Sequence, residues 1–293
     1  MKATPAQALP PLWRILALVA LLLAAAVPAR AENVYPDPSF EATGVTGVAR
    51  TGQKAGHLSV AARDHWAAIG GRIDVEPFAR YRVTAWVKAN VVSGQFYAPY
   101  CYEWDSYEWA FVGANTIKTC QEWTPVQATF VSPHKTMYVH PLAYIDAENS
   151  EAWVDDMVVE KVAEPAQVMA EIAAQANPSD TAKRLLIRWY LQNGKRAEAE
   201  ALLKGSQGEM RADFATLLAQ NTPDPAARRP FVVEVVAMGG PTYHDGLARF
   251  NEIAGGMSDA EKLAICSEAV KRSPGLDRAG QSFRMILAQL LGI

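Results

Sequence analysis

The chain has 293 residues, half of them apolar, a fifth charged and 9% aromatic, with three cysteines and a formal charge of −3. That profile excludes intrinsic disorder, collagen-like repetition and a polytopic membrane protein, and it gives no electrostatic reason for nucleic-acid binding. Three cysteines are too few for a disulfide-built scaffold, and a chain of this length has no need of one.

The first element is an address. Residues 1–14 carry Lys2 and Arg14 and no acid, and thirteen apolar residues then run from Ile15 to Val27 before Ala29-Arg30-Ala31. A positive start, a short apolar run and an A-x-A ending form a secretory signal, and the run is too short for a spanning helix. Cleavage after Ala31 is expected, leaving a periplasmic or secreted protein with no transmembrane span. It removes Lys2, Arg14 and Arg30 and no acid, so 262 residues with a formal charge of −6 remain.

From Glu32 to about Val162 the chain is rich in β-branched and aromatic residues with frequent turn signals. Tyr81–Lys88 alternates with the two-residue period of a half-buried strand, and Thr124–Val131, Met137–Ile145 and Ala152–Val159 read similarly. Short strands punctuated in this way point to a β-sandwich. Trp66 and Trp86 read as core residues. After Glu164-Pro165 the composition turns to Ala, Leu, Glu and Lys. Helices are predicted over Thr181–Gln192 (capped by Ser179 or Asp180), Lys195–Lys204, Gly208–Gln220, Ser258–Lys271 and Leu276–Leu291. Phe231–Met238 suits a strand by its valines, but its helical surroundings favour a buried helix.

Five segments of the first half, in order, carry a resemblance. They are Asn33-Val34-Tyr35-Pro36-Asp37-Pro38-Ser39-Phe40-Glu41, Gly52–Val60, Tyr81–Lys88, Trp123-Thr124-Pro125-Val126 with Phe130 and Pro133, and Ala152-Trp153-Val154-Asp155-Asp156-Met157. Together they resemble the CenC-type carbohydrate-binding modules, jelly rolls of the galactose-binding-like kind. The resemblance implies that the first and last strands lie side by side, bringing Glu41 and Asp155 together. It also implies a structural calcium there, held by those two carboxylates and backbone carbonyls, a donor set that suits this ion. Pairing of the carboxylates with a nearby Arg or Lys is the alternative.

The resemblance further implies a sugar platform on a concave sheet. Tyr97, Tyr100, Tyr102, Trp104, Tyr107, Trp109 and Phe111 fall within fifteen residues. Tyr100, Tyr102 and Trp104 share one strand parity, Asp105-Ser106 suits a turn, and Tyr107 and Trp109 would return along the next strand. These five, with Gln95 as a polar partner, are the carbohydrate-binding candidates; Glu103, Glu108 and Asn115 are further polar neighbours. One aromatic set could equally fill the sandwich core. Cys101 and Cys120, nineteen positions apart in an exported domain, are expected to form a disulfide, leaving Cys266 as a buried thiol.

Leu185–Leu203, with Asn193-Gly194-Lys195 as its turn, resembles one tetratricopeptide helix pair. A lone pair cannot bury its own apolar face, so the flanking helices must complete an array. That array reads as a packing or spacer domain, with docking of a protein partner as the other reading.

The expected fold class is therefore two-domain, all-β then all-α: a jelly-roll β-sandwich over 32–162, then a small tetratricopeptide-like helical array over 163–293. G-x-S-x-G, H-E-x-x-H, G-x-x-x-x-G-K-[ST] and C-x-x-C are all absent, and the five histidines have no metal-ligand spacing. Glu103, Asp105 and Glu108 could be forced into glycoside hydrolysis, but a small sandwich offers no deep cleft to exclude water. The expectation is an exported, non-catalytic protein that binds a polysaccharide or other glycan. The alternatives are an envelope scaffold without sugar binding and an accessory module of a glycoside hydrolase.

Overall fold

The computed structural model describes residues 33–60, 66–92, 95–105, 108–117, 119–132, 136–144, 149–238, 246–272, 286, 288, 290 and 292. The expected leader and most of the helix predicted over Leu276–Leu291 lie outside them.

Among the described residues ten strands come first: β1 (Val45–Thr46), β2 (Lys54–Val60), β3 (Trp66–Ala68), β4 (Gly71–Asp74), β5 (Arg80–Asn90), β6 (Gln95–Asp105), β7 (Glu108–Ile117), β8 (Cys120–Val131), β9 (Thr136–Tyr144) and β10 (Ser150–Ala163). They form two antiparallel sheets, one in the order β1-β2-β10-β5-β8 and the other β3-β9-β6-β7 with β4 also on β9. The alternation in β5 drives the packing of the first sheet. Tyr81, Val83, Ala85, Val87 and Ala89 are buried, while Arg80, Arg82, Thr84, Trp86 and Lys88 stand half-buried on the outer face. The inward row meets Ile73, Phe96 and Cys101 of the second sheet in one core, with Val154, Met157 and Val159 of β10 beside it. The pair of sheets is a β-sandwich.

The segment before β1 runs along β10. Val34 N–H donates to the Val159 carbonyl, Met157 N–H donates to the Pro38 carbonyl, and Asn33 Oδ1 accepts from Val159 N–H. First and last segments are thus neighbours, the arrangement that sets up the site described below.

Among the described residues seven helices follow: α1 (Pro165–Ala173), α2 (Asp180–Gln192), α3 (Arg196–Lys204), α4 (Gly208–Gln220), α5 (Pro225–Ala237), α6 (Gly246–Ile253) and α7 (Asp259–Arg272). Ser179 caps α2, its hydroxyl accepting Ala182 N–H. Phe231–Ala237 is helical, within the longer α5. Helix α4 is buried from Ala212 to Ala219, because α2, α3, α5 and α6 all pack on it. Arg211, Glu234, Arg272, Glu268 and Arg229 form a continuous ion-pair chain over α4, α5 and α7.

The two regions meet without a spacer: β10 ends at Ala163 and α1 begins at Pro165. Phe78, Ala163, Val168, Met169, Ile172, Leu185 and Leu186 form a separate apolar cluster that joins the sandwich to α1 and α2. Phe78 adopts a left-handed φ of 65° and meets the Trp189 ring edge-to-face at 5.3 Å. Among the described residues, no helix is long and apolar enough to cross a membrane.

Candidate functional site

The aromatic stretch becomes the β6–β7 pair, with β9 on the other side of β6. Trp104 lies opposite Trp109, and Tyr102 lies between Phe111 on β7 and Tyr138 on β9. Tyr100 is opposite Ala114 and His140, and Gln95 is opposite Tyr144. The register shifts between Tyr97 and Tyr100 against both neighbours, and again between Cys101 and Tyr102 against β7; the buried parity of β6 changes across the first shift, from Phe96 and Ala98 to Cys101. The positions of Tyr100, Tyr102 and Trp104 therefore alternate with Cys101. Strand β6 ends at Asp105 and β7 starts at Glu108. Tyr107 and Ser106 lie outside the described residues. Of the acids considered for hydrolysis, Asp105 pairs in register with Glu108, and Glu103 with Ala110.

Glu41 and Asp155 reach the two sides of one turn, residues 50–54. Asp155 is fully buried, and its Oδ2 accepts the N–H groups of Arg50 (2.7 Å) and Thr51 (3.0 Å) while Oδ1 accepts Asp156 N–H (2.8 Å). Glu41 Oε1 accepts Gln53 N–H (2.7 Å) and Lys54 N–H (3.0 Å). On a regular strand Asp155 and Asp156 would point to opposite faces. Instead β10 bulges between Asp155 and Val158, with Asp156 at a left-handed φ of 49°. The bulge turns Asp156 toward the same turn, where it accepts from the Arg50 guanidinium and, at 2.5 Å, from the Thr51 hydroxyl. The Lys54 ammonium donates to the Glu41 carbonyl at 2.8 Å.

Arg50, Thr51, Lys54 and Asp156 complete this cluster, and sequence reasoning assigned none of them to it. The only local signal was a short turn carrying two cations.

The residues as arranged do not suit the calcium that the resemblance implies. Calcium takes six to eight oxygens. Five of the six carboxylate oxygens of Glu41, Asp155 and Asp156 already accept hydrogen bonds from the turn and the bulge. Among the described residues, no group of three or more His, Cys, Asp or Glu side chains is placed to hold a metal ion.

The turn also fixes the role of Gly52. At φ +66°, an added Cβ would lie 2.0 Å from Glu41 Oε1. Gly52→Ala is expected to cost about 1–2 kcal/mol from the left-handed backbone alone. It should also displace the Glu41 carboxylate from its two N–H partners, and a urea titration against wild type measures the sum.

Two expectations are corrected. Cys101 and Cys120 are free thiols. Cys101 sits in β6 between Gly113 and Val139, whereas Cys120 opens β8 in the opposite sheet across from Ala89, its thiol 3.8 Å from the Val87 carbonyl. Burial pushes the Cys101 thiol up to about 12, which keeps it protonated and unreactive. Trp86 is not in the core. It lies half-buried on the outer face of the first sheet because it takes the even positions of β5, and the Arg50 guanidinium stacks 3.8 Å from its ring centroid. On the same face His57 stacks on Trp153 at 5.2 Å.

No protein-family model matches the chain, and no curated protein matches it. Among solved structures it is similar to a family 16 carbohydrate-binding module, at 23% identity over 43% of this chain and 90% of that one, with a TM-score of 0.32. It is similar to TmCBM61, solved in complex with beta-1,4-galactotriose, at 14% identity over 45% of this chain and 100% of that one, TM-score 0.34. It is also similar to the CBM22-1 xylan-binding domain of Paenibacillus barcinonensis Xyn10C, at 15% identity over 41% of this chain and 80% of that one, TM-score 0.32. At these scores the likenesses do not bear on what this chain binds.

Proposed function

We propose that the chain is an exported, non-catalytic carbohydrate-binding protein of the CenC type. Its glycan stacks on the β6–β7 hairpin through Tyr100, Tyr102, Trp104, Tyr107 and Trp109, with Gln95 as a polar partner, and its helical half contacts a protein. The observation that carries the reading is the register of that hairpin. Trp104 opposite Trp109 and Tyr102 opposite Phe111 put aromatic residues in adjacent rows of one sheet. Cross-strand neighbours of this kind sit about 5 Å apart, close to the length of one sugar ring. Along β6 the positions of Tyr100, Tyr102 and Trp104 alternate with that of buried Cys101. Aromatic rings offer a flat apolar surface to the C–H face of a sugar, while neighbouring polar side chains can bond its hydroxyls.

Affinity electrophoresis through gels containing cellulose derivatives, xylan or galactan tests this. At least one polysaccharide should retard the wild-type chain, and Trp104→Ala and Trp109→Ala should each weaken retardation at least about tenfold, the loss of roughly one stacking contact. Migration unchanged in every gel, or retardation indifferent to both substitutions, would overturn the proposal and leave the scaffold reading.

A further inference from the structure

We infer that the turn at residues 50–54 is an internal cation lock, in which Arg50 and Lys54 supply the positive charge that a metal ion would bring, so that the β-sandwich folds without calcium. The inference stands apart from the glycan reading, since it concerns only the Glu41–Asp155 end of the sandwich. Three carboxylates converge on this turn, and one of them, Asp155, is fully buried. A buried carboxylate needs compensating positive charge or hydrogen-bond donors.

The chain supplies both. Asp155 is satisfied by three backbone N–H groups. The Arg50 guanidinium pairs with Asp156 while its flat face rests on Trp86. The Lys54 ammonium occupies the Glu41 carbonyl, and the Lys54 and Gln53 N–H groups occupy the Glu41 carboxylate. A calcium ion would compete for these same oxygens with the N–H groups of the turn, with the Thr51 hydroxyl and with the Arg50 guanidinium, and it would meet the Lys54 ammonium at the Glu41 carbonyl in direct repulsion. The fixed cations are also attached to the turn they hold, so no ion has to be captured from solution before the turn closes on β10.

The test is a melting experiment on the full chain, in excess EDTA and in millimolar calcium chloride at matched ionic strength, paired with elemental analysis after gel filtration. A metal bound to the folded state raises Tm with its concentration. The expected result is a single Tm in both buffers, to within about 1 °C, and no retained calcium. A Tm that climbs with calcium, or about one calcium retained per chain, overturns the inference. Lys54→Met and Arg50→Met keep most of each aliphatic stem and remove the charge; each should lower Tm by about 2–4 °C, equally in both buffers. Lys54→Arg should recover most of its loss. Met variants that melt like wild type would remove the cations from the explanation. If a Met variant fails to fold, the wild-type comparison still decides the calcium question.

Discussion

Replacing Phe78 with alanine is expected to lower the free energy of unfolding by about 3–5 kcal/mol, the usual cost of truncating a fully packed phenylalanine. Phe78 is 2% exposed, and its neighbours come from both regions: Ala163 from the end of β10, Val168, Met169 and Ile172 from α1, and Leu185 and Leu186 from α2. None of these can move in to fill the void without pulling its own element out of register. The backbone cannot relax freely either, because Phe78 N–H donates to the Ser132 carbonyl and holds the residue at positive φ. The same substitution removes the edge-to-face contact with Trp189, and a double-mutant cycle with Trp189→Ala should show a coupling of about 0.5–1.5 kcal/mol. Limited proteolysis should become faster near the β10–α1 boundary. A loss below about 1 kcal/mol would show that the cluster does not join the two regions.

Asp155→Asn is expected to cost about 2–4 kcal/mol in denaturant unfolding, although it changes one atom. The carboxylate accepts three N–H groups, two on one oxygen and one on the other. An asparagine oxygen can keep the Arg50 and Thr51 donors, but its NH2 group then faces the Asp156 N–H, donor against donor. The site is buried, so water does not repair the mismatch, and the charge-assisted character of the remaining bonds is lost. Asp156→Asn should cost much less. Its side chain is 21% exposed where that of Asp155 is fully buried, and an asparagine tolerates the left-handed φ of the bulge. Equal losses for the two substitutions would contradict the burial difference.

The strands that could be read from the sequence were those whose alternation is regular. Tyr81–Lys88 lies inside β5 because every second side chain there enters the core. Strands β1, β3 and β4 are only two to four residues long, too short to show a period. The start of α5 was legible in principle: Asp224 accepts the Ala226 and Ala227 N–H groups, and Pro225 follows at the first helical position. Pro230 lies inside the same helix, one residue before the Phe231–Met238 stretch that was read from the sequence. The neighbourhood of Glu41 and Asp155 followed from their place in the first and last motifs. Their partners did not, because Arg50 and Thr51 are more than 100 residues from Asp155 in sequence. The bulge at Asp156 has no periodic signature at all. Trp86 was misassigned for a related reason: alternation separates two faces but does not say which one the opposite sheet will cover.

The abrupt passage from Ala163 to Pro165 has a consequence for how two ligands would be held at once. With a flexible tether, a glycan on the sandwich and a protein on the helices would sample many separations, and each would raise the local concentration of the other only on average. Here the Phe78 cluster clamps the end of the last strand against the first two helices. The angle between the sandwich and the first two helices, and so between the two proposed docking surfaces, is then a property of the fold. Simultaneous engagement would be strong where the partner and the polysaccharide match that angle, and lost where they do not.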